Sequence, residues 1–115
     1  MKTLSMTRNN DFLRAYRRGK SVSDPCVVCY VMPNRLLVTR LGLTTSKKIG
    51  NAVARNRARR VLRAAYREIA PQILPGYDIV LVARTKTTVT KSTALTPILT
   101  AQLRKLGALQ SKEKE

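Results

Sequence analysis

Histidine is absent from this 115-residue chain, and acidic residues are scarce. The whole carboxylate complement is Asp11, Asp24, Glu68, Asp78, Glu113 and Glu115. Without imidazole the chain lacks the usual general base near neutral pH. Two of the six acids fall in a polar tail and the others lie far apart in sequence, so a two-metal nuclease centre, which needs converging carboxylates, is poorly supplied. Tryptophan is missing too, leaving one Phe and four Tyr as the aromatic complement. No apolar stretch approaches the ~20 residues of a membrane-spanning helix. No apolar run follows Lys2, so no secretory signal is expected and a cytoplasmic protein with reduced thiols is. Cysteine occurs only as Cys26 and Cys29, within CVVCYV. A metal site of that spacing needs a second ligand pair, which is lacking. In a strand, residues three apart point to opposite faces, so the pair reads as two small side chains in a sheet.

Positive charge, by contrast, is abundant. Lys and Arg number 23, for a formal charge of +17. Such an excess repels itself in a compact chain, which implies an anionic partner that offsets the cost. Nucleic acid is the first candidate, and an anionic membrane surface is the physical alternative. The length suits one domain, residues 1–115, and 43% hydrophobic residues suffice for a core.

The charge is concentrated in residues 46–68, SKKIGNAVARNRARRVLRAAYRE. As a helix stepping about 100° per residue, Arg59, Arg63, Asn56, Arg67 and Arg60 fall within roughly 40–140° of Arg55. Ala54, Ala58, Val61, Leu62, Ala65 and Ile69 gather between roughly 240° and 340°. One side therefore presents guanidinium groups and the other packs. Glu68 is the only acid near Arg55, Arg57, Arg59, Arg60, Arg63 and Arg67. Arginine rather than lysine favours bidentate phosphate contact.

Along the chain, residues 8–18 read as a helix with Phe12 and Tyr16 on one face, stopped by Gly19 as a C-terminal cap. Residues 20–24 read as an extended link. Residues 26–32 and 36–44 read as an antiparallel hairpin around the Pro33-Asn34 turn. A polar loop, 46–50, precedes the basic helix over Asn51–Ala70, which Pro71 and Pro75 close. Ile79–Arg84 reads as a central strand, 85–92 as a mobile loop, and Ser92 or Thr93 to Leu106 as a last helix with Gly107 after it. Residues 110–115 are expected to fray. The fold class is α+β: a sheet of about four strands with three helices, in the order α-β-β-β-α-β-α. Phe12, Tyr16 and Tyr30, with Arg14, Arg17, Arg18 and Lys20 nearby, fit either a groove for single-stranded RNA or core packing.

Leu41-Gly42, Ser46-Lys47-Lys48-Ile49-Gly50-Asn51-Ala52-Val53, Arg55-Asn56-Arg57, Arg59-Arg60 and Arg63 together resemble the signature of the bacterial ribonuclease P protein component. Asp11-Phe12, Tyr16 and Gly19-Lys20-Ser21 are similar to that family's opening, and Gly76-Tyr77-Asp78-Ile79-Val80 with Ala83-Arg84 to its last strand. The resemblance spans roughly residues 7–84. Thr44-Thr45 depart from the family's usual pair before the lysines, and residues 85–115 match little beyond a helix.

The resemblance implies the protein subunit of a ribonucleoprotein that removes the 5′ leader of precursor tRNA, with the RNA subunit as catalyst. It implies contact with that RNA through Lys47, Lys48, Arg55, Asn56, Arg57, Arg59, Arg60 and Arg63, and with the leader through Phe12, Tyr16, Tyr30, Arg17 and Arg18. It also implies a left-handed crossover joining parallel strands around the basic helix. No catalytic or metal-ligating residue is expected on the protein; Mg2+ is expected at the catalytic RNA. Neither membrane nor DNA is an expected partner. A structural, ribosomal-type RNA-binding protein is the alternative.

Overall fold

The computed structural model describes residues 3–110. Eight principal elements follow in chain order: β1 (Thr3–Ser5), α1 (Asn9–Arg18), β2 (Lys20–Asp24), β3 (Val27–Pro33), β4 (Thr39–Thr44), α2 (Ala52–Ile69), β5 (Tyr77–Ala83) and α3 (Ser92–Lys105). The five strands form one mixed sheet in the order β1-β4-β5-β3-β2. β4 runs parallel to both β1 and β5, while β3 is antiparallel to both β5 and β2.

The fold class is the expected one, with three helices, but the pairing departs from expectation. β3 and β4 do not form a hairpin, because β5 lies between them. Ile79, Val80 and Leu81 are fully buried. A strand apolar on both faces is most stable in the middle of a sheet, where neighbours cover both edges and helices both faces. Residues 34–38 are then left as an irregular connection, with Leu37 91% exposed. Residues 20–24 are not a link but an edge strand, registered from Lys20 opposite Val31 to Asp24 opposite Val27. Thr3–Ser5 adds a second edge strand that the few residues before α1 gave no periodicity to reveal.

Alternation along the strands sorts the two faces. Val27, Cys29, Val31, Ile79, Leu81 and Ala83 point into the main core with Leu62, Ile69, Leu95, Leu99 and Leu103 of α2 and α3. Val80 points the other way, into a smaller cluster with Met6 and Ala15, against which Phe12, Tyr30 and Val82 pack. Helices thus cover both faces, and α1 alone covers the second.

Two loops are more ordered than their sequence suggests. Thr85–Val89 is a 3-10 turn rather than a mobile loop. Thr87 is fully buried; its hydroxyl donates to the Cys26 carbonyl at 2.5 Å and accepts from the Arg84 N–H at 2.9 Å. Cys26 itself lies in the turn before β3, its sulfur 3.6 Å from the Thr90 hydroxyl oxygen, and both cysteines are free. Gly19 follows α1 in an extended conformation, not the left-handed one expected of a C-terminal cap. Its requirement is space: a Cβ there would stand 2.5 Å from the Ala15 carbonyl oxygen. At the other terminus, Gln110 N–H donates to the Gln72 carbonyl at 3.2 Å. The rest of the expected tail, 111–115, lies outside the described residues.

Candidate functional site

The arginine helix is built as its periodicity predicts. Asn51 caps it, its side-chain oxygen accepting from the Ala54 N–H at 3.0 Å. Ala58, Leu62, Ala65, Tyr66 and Ile69 are buried, and Ala54 and Val61 pack against the core beside them. Tyr66 joins this core although its position on the wheel borders the arginines. Its hydroxyl pairs with that of Thr3 at 3.2 Å, and burial raises its pKa.

On the opposite side Arg57, Arg60, Arg63 and Arg67 are exposed, as is Asn56. Two arginines are partly committed to local structure. Arg55 Nη1 donates to the Gly50 carbonyl at 2.8 Å, and Arg59 Nη1 donates to Asn56 Oδ1 at 3.1 Å. The first contact ties α2 to the 3-10 turn Lys47–Ile49, which places Lys47 and Lys48 at the head of the row. Gly50 turns the chain there at φ 140°, a region unfavourable to residues with a Cβ. Among the described residues no carboxylate lies in ion-pair range of an α2 arginine; the acidic partners that exist serve Arg14 and Arg40. The row is left uncompensated, and phosphate is the ligand it suits.

A second surface lies on the α1 side of the sheet. Tyr16 and Tyr30 meet edge to face, with ring centroids 5.0 Å apart at 69°. Tyr16 remains 38% exposed, while Phe12 and Tyr30 are half-buried. Phe12 sits over Gly42 so closely that a Cβ there would come within 2.5 Å of its ring. These aromatics therefore both pack α1 and present an edge to solvent. Past them the same face runs on through Val28 and Val82 to a pocket of about 260 Å³, which Ser46, Lys48 and Arg84 also line. The aromatic groove and the α2 row thus converge at the Lys47–Ile49 turn.

The alternation of Val28 with Tyr30, and of Val80 with Val82, signals that shared face in the sequence. Val28, Val82 and Arg84 were nonetheless not among the expected site residues. Arg17 and Arg18 gather with Asn10 and Arg14 around a polar recess.

The anchor beneath α1 is ionic. Asp78, fully buried on β5, receives Arg40 Nε at 2.8 Å and Nη2 at 2.6 Å, and also Asn34 Nδ2 at 2.9 Å. Arg40 Nη1 reaches Asp11 on α1 at 3.3 Å. The hydrogen bond to Asp78, with the charges of Asp78 and Asp11, holds the guanidinium pKa above its ordinary value. These two carboxylates are thus engaged in structure. Among the described residues no group of three or more potential ligands could hold a metal ion.

Comparison with known proteins identifies the family. A family model described as Ribonuclease P matches residues 1–107. The ribonuclease P protein component of Clostridioides difficile is 42% identical over 84 residues, covering 72% of this chain and 74% of that protein. The Caldanaerobacter subterraneus protein of the same name is 42% identical over 85 residues, covering 74% and 73%. The solved RNase P protein of Staphylococcus aureus superposes with a TM-score of 0.81 at 31% identity, over 95% of this chain and all of that one. That of Thermotoga maritima gives 0.75 at 27% identity, over 87% and 96%. The chain belongs to the ribonuclease P protein family.

Proposed function

We propose that this chain grips two RNAs at once within a ribonuclease P ribonucleoprotein. The α2 row, with Lys47 and Lys48, binds the RNA subunit; the groove of Phe12, Tyr16 and Tyr30 receives the single-stranded 5′ leader of precursor tRNA. The observation that carries this reading is the uncompensated arginine face of α2, separate from the aromatic groove but meeting it at one turn.

Each surface has its own chemistry. Guanidinium groups neutralise phosphates and release counterions, which lets two polyanions approach. Aromatic rings stack unpaired bases of any sequence, as a leader of variable sequence requires. Arg17 and Arg18, on the outward recess of α1, act on the leader through charge rather than through contact with the tyrosines.

Chemistry at the scissile phosphate belongs to the RNA subunit and its Mg2+. The chain has no histidine, and Asp11 and Asp78 are held by Arg40. The protein supplies phosphate neutralisation that lowers the Mg2+ concentration the RNA needs. No helix among the described residues is long and apolar enough to cross a membrane, and action in the cytoplasm is part of this proposal.

The test is cleavage of precursor tRNA at low magnesium by the protein, with and without its cognate RNA subunit. Cleavage by the pair and by neither alone is the expected result. Cutting by the protein alone would identify a protein nuclease. A pair no faster than the RNA alone would leave only a structural RNA binder.

A further inference from the structure

The arginine row does not end at solvent. At the C-terminal end of α2 it runs onto a notch of about 240 Å³ between the helix and edge strand β1. Its walls include Leu41 and Ala70, with the Thr3–Ser5 edge opposite, Tyr66 beneath and Arg63 and Arg67 beside it. On the helical wheel Tyr66, Ala70, Arg63 and Arg67 fall at roughly 20°, 60°, 80° and 120° from Arg55, the same side as Arg59 and Asn56. The notch therefore continues the phosphate-binding face rather than lying behind it. Leu41 and Ala70 are half-buried and Arg67 is exposed, so apolar surface and free charge stand together here. β1 pairs only with β4, so its outer backbone edge has no strand partner among the described residues.

An apolar recess flanked by guanidinium groups and an open backbone edge matches one chemistry well. A nucleobase is flat and apolar on its faces and hydrogen-bonding at its rim, and its phosphates carry the charge. A peptide without acidic side chains would satisfy the recess but not the two arginines.

We propose that this notch holds one unpaired nucleotide of the RNA subunit, its base between Leu41, Ala70 and the edge of β1 and its phosphates on Arg63 and Arg67. The proposal rests on reading α2 as the RNA-subunit face, and adds a shape-selective contact to a surface otherwise governed by charge.

Titration of the RNA subunit across a salt series, together with base-specific chemical probing of the complex, tests it. Ala70→Leu, which fills the notch without changing its charge, should weaken binding about threefold to tenfold with an unchanged salt slope. Arg67→Ala should weaken binding and lower the slope by about one. Both should expose a single unpaired base of the RNA subunit that the wild-type protein protects. Circular dichroism checks that each variant is folded, and Arg67, being exposed, remains informative if the Ala70 variant is not. Unchanged affinity and protection in Arg67→Ala, or protection found in the leader instead, would overturn the notch. Arg60→Ala separates the two levels: if it too leaves RNA-subunit affinity unchanged, the assignment of α2 itself falls.

Discussion

Arg40 clasps the buried carboxylate of Asp78 through two nitrogens, at 2.8 and 2.6 Å, and turns its third nitrogen to Asp11 of α1. One guanidinium thus joins β4, β5 and the helix that walls the groove. Removing it strands a carboxylate with no exposed surface, keeping only the Asn34 amide as partner. Arg40→Ala should lower stability by about 3–5 kcal/mol, the usual loss when one member of a buried pair is removed. Asp11→Asn should cost far less, since Asp11 is partly solvated. Urea denaturation of the two variants checks the order; equal losses would show that Asp78 is not the dominant partner.

Gly42 should tolerate no side chain. The Cβ of Gly42→Ala would lie 2.5 and 2.7 Å from two ring carbons of Phe12 and 3.3 Å from Met6 Cβ. Phe12 must then turn or α1 must lift, at a cost of about 1–3 kcal/mol for overpacking. Because Phe12 walls the groove, selectivity for precursor over mature tRNA should fall as well. Thermal unfolding and paired tRNA titrations report the two effects separately.

The cysteines should differ sharply towards thiol reagents. Burial pushes the Cys29 thiol from 9.0 up to about 12, whereas Cys26 is half-buried in a turn. In native protein at pH 8, Cys26 should label and Cys29 should not until the chain unfolds. The same shift has a thermodynamic sign. A folded-state pKa raised above the unfolded value means stability is fully present below pH 9 and is lost as pH rises towards 12. Cys29→Ala should flatten that alkaline decline, as measured by denaturation between pH 8 and 11.

Salt dependence distinguishes the exposed arginines from the committed ones. Arg60→Ala should reduce the slope of log affinity against log salt by about one for the RNA subunit. Arg55→Ala should in addition loosen the Lys47–Ile49 turn, through its lost bond to the Gly50 carbonyl. Filter binding at several salt concentrations measures the slopes; thermal melting finds the added structural loss.

Much of this molecule is legible from local pattern. The basic helix, expected over 51–70, runs over Ala52–Ile69 with Asn51 as its cap, because periodicity, cap and the following Pro71 all act within a few residues. Apart from Tyr66, which is buried on the arginine side, its buried and charged sides are also as the wheel places them. Strand pairing was less legible. Whether Val27–Pro33 pairs with Thr39–Thr44 or with Tyr77–Ala83 depends on contacts about 50 residues apart, and a turn signal at Pro33-Asn34 says nothing of the competing strand. The Thr85–Val89 turn was missed for a similar reason: its order comes from the distant Cys26 carbonyl, not from its own Thr- and Lys-rich composition. For the site, residue types pointed to both surfaces, but only the sheet's second face shows that Val28 and Val82 lie on the same side as Tyr30.

The central claim is that leader recognition and RNA-subunit binding occupy different surfaces. Its most direct test is the affinity of the reconstituted Tyr16→Ala complex for precursor tRNA relative to mature tRNA. Loss of a base-stacking face should weaken precursor binding by about 1–3 kcal/mol, leave mature tRNA binding unchanged, and leave assembly with the RNA subunit intact. Equal losses for both tRNAs would contradict the account.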